Sequence, residues 1–389
     1  MNLKETDSKY LAHTYGRFPL VIKEGKGSLA YDEEGKEYID MATGIAVNAF
    51  GYSDESWTQA VTEQLTTLQH TSNLYYTEPC VKLAELLCER TGMSKVFFSN
   101  SGAEANECAI KAARKYSASK YGAERNVILT LRNSFHGRTI TTLAATGQDA
   151  FHNDFLPLTQ GFDYVEANNI NDLEAKVERG NVAAIMFEFV QGEGGVMPLT
   201  QEFVNRIFEL SEKYDIVTIA DEVQTGNGRT GKLYAFMNYG VAPDIVSTAK
   251  GLGGGLPLGA TLLSEKLSGV FVPGDHGSTF GGNPVCCAGA LNILSRIDDA
   301  LLSEINEKSQ YIRSELMNTK GVTSVDGMGL MLGITTEKPV DEIVSECMNR
   351  GVLVIKAKQK LRLLPALNIP METLSKAVEI IKSVCNTEV

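Results

Sequence analysis

"VAAIMFEFV" (residues 182–190) and "IVTIAD" (216–221) are short, mostly apolar runs, each with a single charge. Between them, 201–214 reads as a helix. Nearly continuous apolar strands separated by helices predict a mostly parallel sheet covered on both faces. The same alternation runs outward through "KVFFSN" (95–100), a helix over 103–121, "NVILTL" (126–131), "DIVSTA" (244–249) and "ATLLS" (260–264). Upstream, "GSLAYDEEGKEYID" reads as strand, turn, strand. From Pro284 a long helical region runs to about Lys320. Short strands follow at "VLVI" (352–355) and "LRLL" (361–364), then an amphipathic helix from Met371 to Cys385. The expected fold class is α/β, a large domain with a mostly parallel central sheet plus a smaller α+β domain. In such sheets ligands bind beyond the carboxyl ends of the strands.

The chain has 389 residues, enough for two domains with a sizeable interior. Its formal net charge is −12, which argues against nucleic acid or an anionic membrane as main partner. The seven cysteines are an odd count with no C-x-x-C pair, so buried side chains in a reducing compartment are expected, not disulfides or zinc. The opening "MNLKETDSKY" lacks the apolar core of a signal peptide, and no apolar run is long enough to span a bilayer. A cytoplasmic location is the expectation.

"GNGRTG" (226–231) matches the dinucleotide fingerprint, but it falls five residues past a strand end and lacks the following acidic residue. A P-loop reading fails because Leu233 stands where a hydroxyl would bind magnesium. A glycine-rich loop explains the stretch better. "SNSGAEANECAIKAARKY" follows a strand and opens a helix. Ser101 and Glu104 have capping-box spacing, and Glu107 with Lys111 an i,i+4 spacing. Gly102 and Ala103 leave the first-turn amides uncovered, which suits either an ordinary capped helix or an anion such as phosphate.

"TIADEVQTG" places Asp221 and Glu222 at a strand end, where an acid is a cap, a loop residue or a carboxylate held beneath a ligand. Lys250 lies 29 residues beyond Asp221 (250 − 221), at the end of a strand expected to be its neighbour and beside five glycines from Gly251 to Gly259. Carboxylate, lysine and phosphate cradle together match what pyridoxal phosphate needs. The lysine condenses with its aldehyde, the carboxylate keeps the ring nitrogen protonated, and the helix start holds the phosphate. The glycines would give cofactor and side chain room. In "NSFHGRT", Phe135 suits stacking on a ring or a core position. Arg138 suits a two-point carboxylate clamp or the surface. His136 reads as a polar loop residue, since no second His or Cys stands at ligand spacing.

"SNSGAEANE", "SFHGRT", "FVQGEGG", "ADEVQTGNGRTG", "STAKGLGGGLPLGA" and "HGSTFGGNP" occur in that order. Together they resemble the class III (subgroup II) pyridoxal-phosphate aminotransferases, of the acetylornithine type. The resemblance runs from "TYGRFPL" near residue 15 to "LRLLPAL" near 365. It implies a fold-type I transferase: segment 1–52 packing with the small domain, a large cofactor domain over 53–283 and a small domain over 284–389. It implies a homodimer with shared active sites.

By that resemblance Lys250 and Asp221 are catalytic, Asp221 pairing with the ring nitrogen. Val223 and Gln224 lie by the cofactor, Gln224 near the ring hydroxyl. Gly102 and Ala103 bind phosphate, and Phe135 stacks. Thr279 reaches the phosphate from the partner subunit, with Ser278 beside it at the substrate. Arg138 holds the distant carboxylate of either substrate, and Arg362 the near carboxylate of 2-oxoglutarate. Glu193 neutralises Arg362 when no such carboxylate is present. Tyr15 lines the substrate site or serves as a core or interface residue. Ornithine aminotransferases generally carry a tyrosine near Ile45, and an apolar residue suits an acylated amine better than a free ammonium. The resemblance thus implies transfer from N-acetylornithine to 2-oxoglutarate, with ornithine, succinylornithine, 4-aminobutyrate or an internal aminomutase as alternatives. "GYSDES" departs from the family pattern at Tyr52 and lacks its proline.

Overall fold

Every residue of the strands Val182–Phe187 and Val217–Asp221 is buried, as continuous apolar runs require, in a computed structural model that describes residues 2–386. They lie at the centre of a seven-stranded sheet. Its order is Lys95–Ser99, Gly259–Leu263, Ile245–Thr248, Val217–Asp221, Val182–Phe187, Val127–Leu131 and Phe162–Val165. All neighbours pair in parallel except Gly259–Leu263, which runs antiparallel to both strands beside it. Only residues 249–258, with the single helical turn Lys250–Leu252, separate it from the strand before. That connection is too short for the crossover a parallel pair needs. The edge strand Phe162–Val165 escaped the sequence reading because "FDYV" is short, half-buried and charged.

Gly102–Tyr121 buries an alanine-rich face against the sheet, and Gln201–Tyr214 buries Phe203, Val204, Ile207 and Leu210. Of two features expected on the first helix, the Ser101 cap forms, with Glu104 bonding one residue upstream of Ser101, while the Glu107–Lys111 pair does not. Ser101 Oγ accepts the Glu104 N–H at 3.2 Å, but the Glu104 carboxylate turns to Asn100, accepting from its backbone N–H at 2.6 Å and its amide at 2.9 Å. Glu107 accepts from Thr139 Oγ1 at 2.6 Å, and Lys111 donates to the Asp275 carbonyl at 2.7 Å. Both charged side chains of that pair find tertiary partners.

The hairpin Leu29–Asp32 and Glu37–Asp40 is present, extended by Ile22–Lys26 on one side. On its other side Glu37–Asp40 pairs in parallel with Val352–Leu353, so the N-terminal strands share a sheet with the C-terminal segment. A second four-stranded antiparallel sheet joins Val322–Met328, Met331–Thr336, Lys360–Leu363 and Ile355–Ala357. Its first two strands and the helix Val340–Asn349 were not evident in the sequence. Glycines in "VDGMGLMLG" break the apolar periodicity there. The helical region after Pro284 is two helices, Pro284–Arg296 and Asp299–Met317, divided where Asp298 caps the second. The first packs on Glu55–Thr67 and Glu78–Thr91. Among the described residues no helix is long and apolar enough to cross a membrane. Five of the seven cysteines are buried and all are free.

Leu262 is fully buried in the strand between Lys95–Ser99 and Ile245–Thr248. Leu262→Ala is expected to lower unfolding stability by about 2–5 kcal/mol, read by urea titration.

Candidate functional site

A cavity of about 460 Å³ opens where several strands of the large sheet end, and Asp221 and Lys250 both face it. A groove of about 630 Å³ lies at the opposite strand ends, around Asp215 and Lys266, and contains none of the residues singled out in the sequence.

Asp221 is 4% exposed and ends its strand. Its Oδ2 accepts from Asn106 Nδ2 at 2.8 Å and lies 2.7 Å from His136 Nδ1. Its Oδ1 accepts the Val223 N–H at 3.1 Å. An imidazole nitrogen facing a carboxylate at that distance carries the proton. His136 is thus a buried partner of Asp221, not the polar loop residue expected, and its Nε2 has no hydrogen-bond partner. Asn106 is fixed in turn: it donates to the His136 carbonyl at 2.7 Å and accepts from Ser247 Oγ at 2.5 Å. Glu222 turns away from the cavity and accepts from the Ala235 and Phe236 N–H groups at 2.9 and 2.8 Å. Burial pushes its carboxyl up to about 7 despite those bonds. Of the two adjacent acids, one serves the cavity and the other ties a loop.

Lys250 sits at φ +46°, a left-handed conformation that costs a non-glycine residue of order 1–3 kcal/mol and is often found at functional sites. Its ammonium makes no hydrogen bond or ion pair among the described residues. Burial lowers its pKa, with Arg362 acting the same way, while Glu193, Asp221 and Glu188 oppose. A lowered value leaves more free amine at neutral pH. The neighbouring glycines do not chiefly make room for a ligand, as expected. A Cβ on Gly259 would stand 2.3 Å from the Ser101 carbonyl oxygen, and one on Gly253 2.2 Å from that of Leu256. These positions let backbone pass backbone; only Gly255 lines the cavity.

The helix beginning at Gly102 points its first turn into the cavity. Amides there have no intrahelical acceptor. A Cβ on Gly102 would meet Val223 Cγ1 at 2.7 Å, so glycine alone fits between the strand end and the helix start. Phe135 lines the same space, edge-on to Phe151 with centroids 6.0 Å apart. Arg138 is exposed, with its guanidinium carbon 4.5 Å from the Phe151 ring centroid and no acidic partner among the described residues. Ala103, Val223 and Gln224 are the remaining predicted residues on the cavity wall.

Arg362 reaches the site from the other sheet and is 2% exposed. Its Nη1 lies 2.6 Å from Glu193 Oε1 and 3.2 Å from Gln224 Oε1, while its Nε has no partner. Burial would raise the Glu193 carboxyl, but the charge and hydrogen bond of Arg362 prevail and hold it below the usual range. Val47, also on the cavity wall, follows four consecutive residues with positive φ, Thr43 to Ala46. Asp40 Oδ1 anchors that turn by accepting the Ala42 and Thr43 N–H groups at 2.8 and 3.0 Å. Ile45 within it is 42% exposed and does not line the cavity.

Three predicted residues lie elsewhere. Ser278 accepts from Asn100 Nδ2 at 3.1 Å at the cavity edge. Thr279 is exposed and outside this chain's own cavity. Tyr15 is 76% exposed, against Arg17, and away from the cavity wall. The sequence reading missed His136, Asn106 and Glu188 as cavity residues. Glu188 shows the same signal as Asp221, a charge closing an apolar run. "GNGRTG" is structural: Asn227 Nδ2 donates to Thr248 Oγ1 at 3.0 Å, and buried Arg229 donates to the Leu330 carbonyl at 3.2 Å.

The family model for aminotransferase class-III matches residues 10–385. The acetylornithine aminotransferase of Haemophilus ducreyi is 47% identical over 98% of this chain and 98% of its own length. That of Caldanaerobacter subterraneus subsp. tengcongensis is 44% identical over 97% and 98%. Among solved structures, N-acetylornithine aminotransferase from Stenotrophomonas maltophilia K279a superposes with a TM-score of 0.86 at 34% identity, covering 98% of each chain. Ornithine aminotransferase from Toxoplasma gondii ME49 superposes with a TM-score of 0.94 at 29% identity, covering 98% of this chain and 93% of its own. A family match over nearly the whole length, on a chain that gathers lysine, carboxylate and helix start in one cavity, leads to one statement: this chain belongs to the class-III aminotransferases.

Proposed function

We propose that the protein uses pyridoxal 5'-phosphate to transfer the δ-amine of N2-acetyl-L-ornithine to 2-oxoglutarate. The products are N-acetyl-L-glutamate 5-semialdehyde and L-glutamate, a step of arginine biosynthesis. The observation that carries this reading is the buried Arg362–Glu193 pair bonded to Gln224, in the site that holds Lys250. The names of the relatives support the acetylated substrate.

The residues present fit the cofactor. Lys250 offers an amine without a partner among the described residues, Asp221 a carboxyl group with donors on both oxygens, and Gly102 and Ala103 uncovered amides for a phosphate. When bound, pyridoxal phosphate supplies an aldehyde and a ring that withdraws electrons from the substrate carbon. The chain does the rest. Asp221 Oδ1 and Oδ2, kept anionic by three donors, hold a proton on the ring nitrogen. Phe135 and Val223 orient the ring from the cavity wall. Lys250 Nζ, desolvated and with its pKa lowered by burial, is the base that moves a proton at the reacting carbon.

Arg138, exposed and unpaired, holds the distant carboxylate of either substrate. Arg362 holds the near carboxylate of 2-oxoglutarate once Glu193 moves aside. With acetylornithine bound no such carboxylate exists, and an unpaired buried guanidinium would cost about 3–5 kcal/mol. Glu193 removes that penalty by staying in place. Ile45, two residues before Val47 of the cavity wall, offers an apolar side chain where an acylated amine would be better suited than an ammonium. Tyr15 remains a substrate-side or interface residue.

The working form we propose is a cytoplasmic homodimer, with residues 53–283 as the cofactor unit and 1–52 with 284–389 as the smaller unit. The strand pairing of Glu37–Asp40 with Val352–Leu353 supports that grouping. Leu74, Tyr75 and Tyr76 are 87%, 70% and 98% exposed, and neighbouring Asn73 donates to the Ser278 and Gly281 carbonyls at 3.0 and 2.9 Å. These exposed apolar side chains, joined through Asn73 to the segment that carries Thr279, suit a second copy whose phosphate site Thr279 and Ser278 would complete.

An absorbance spectrum with single amino donors tests the reading. A yellow band bleached by glutamate and by N-acetylornithine, but little by ornithine or 4-aminobutyrate, is expected; fastest bleaching by another donor replaces the substrate. Lys250→Ala is expected to abolish transamination, and retained turnover would remove its role. Glu193→Ala is expected to slow the acetylornithine half-reaction more than the glutamate one in single-turnover kinetics. Equal slowing would refute the charge-neutralising role.

A further inference from the structure

Glu188 follows directly on the strand Val182–Phe187, as Asp221 closes Val217–Asp221. The parallel register sets Phe187 opposite Ala220, so the two acids stand side by side at neighbouring strand ends. Adjacent strands are about 4.7–4.9 Å apart. Both acids line the cavity, and they are 5% and 4% exposed. Two buried carboxyls at that spacing do not both ionise readily.

Their hydrogen bonds decide which one holds the charge. Asp221 accepts from Asn106 and Val223 and faces the Nδ1 of His136. Glu188 accepts one long bond, from the Phe135 N–H at 3.3 Å, and makes no ion pair among the described residues. Phe135, His136 and Arg138 approach it from the loop after Val127–Leu131, and Asp221 from the strand beside it. Lys250 comes from the segment after Ile245–Thr248, and Glu193, engaged with Arg362, from beyond Val190–Gln191. Burial raises the Glu188 carboxyl well above its usual range, and the charge of Asp221 adds to this. The Phe135 N–H and Lys250 act the other way. Lys250 is a poor counter-ion because burial also favours its neutral form.

We propose that Glu188 is the uncharged member of a carboxyl pair with Asp221, keeping its proton while Asp221 stays ionised and offering its O–H as a hydrogen-bond donor to a ligand oxygen in the cavity. The arrangement leaves Asp221 the only anion competing for the proton on the ring nitrogen. It also spares Lys250 a further negative charge beside those of Asp221 and Glu193, each of which raises its pKa. The donor role rests on the cofactor reading above; the protonation state does not.

The test compares the wild-type holoenzyme with Glu188→Gln and Glu188→Leu. The infrared difference between wild type and Glu188→Gln at neutral pH is expected to show loss of a protonated-carboxyl stretch. Loss of carboxylate stretches instead would overturn the proposal. The pH midpoint of the visible cofactor band is expected to coincide in wild type and Glu188→Gln. A fall of about one unit or more would mean that a negative charge had been removed beside Lys250, and the idea would fail. Glu188→Leu is expected to weaken retention of pyridoxal phosphate or glutamate about tenfold, with Glu188→Gln restoring most of it. Unchanged binding in both variants would remove the donor role. A wild-type protein with no visible band after adding pyridoxal phosphate would sink the cofactor reading alone, since the infrared spectrum still decides the state of Glu188.

Discussion

One buried carboxyl group, that of Asp221, sets the terms for everything around it. A buried charge requires donors, and they arrive from three separate elements: Asn106 from the helix after the first strand, His136 from the loop after the second, and Val223 from its own turn. Ser247 on the neighbouring strand orients Asn106. These bonds tie the helix start, the Phe135–Arg138 loop and the Lys250 strand to one atom group. The phosphate cradle, the ring wall and the lysine are thereby held in fixed relation. The pairing of Glu188 with Asp221 follows from the same constraint, because donors gathered on one carboxylate leave its neighbour to be neutral.

Strain is concentrated at the same place. Lys250 has a positive φ, and so do Thr43, Ile45 and Ala46 in the turn that delivers Val47. Neither the β-branched residues nor lysine adopts that region readily. The turn persists because Asp40 anchors it from one side and Thr43 Oγ1 donates to the Leu364 carbonyl at 2.6 Å on the other. Leu364 follows the strand of Arg362, so the anchor that holds the cavity wall also sets the depth of that arginine. The Lys360–Leu363 strand is paired on both sides, with Met331–Thr336 and Ile355–Ala357, and this fixes the guanidinium over Glu193.

The site's charges differ in how firmly they are held. The Asp221 group is buried and closed by hydrogen bonds. Arg362 and Glu193 form a pair in which Glu193 is the more exposed partner, 32% against 3% for the side chains. A carboxylate with one face open can leave its guanidinium at modest cost, whereas Asp221 cannot leave its donors. At the mouth, Arg138 has only aromatic rings beside it.

The chain's local patterning determined six of the seven strands of the central sheet, the helices Gly102–Tyr121 and Gln201–Tyr214, and the placing of Lys250, Asp221 and Gly102 at strand ends. Period and burial act residue by residue, so apolar runs and caps are written in the sequence. The motifs also indicated Glu193 and Arg362, which stand 2.6 Å apart in the structure. Only the tertiary structure decided the rest. The antiparallel turn of Gly259–Leu263 depended on loop length, and the strands Val322–Met328 and Met331–Thr336 on pairing that glycines concealed. His136 became a partner of Asp221, Glu104 a partner of Asn100, and Glu188 a neighbour of Asp221 through register alone. Whether a polar side chain is a loop residue or part of a site depends on what other segments bring within about 3 Å of it. That distance is a property of the packed chain, and no spacing along the sequence contains it.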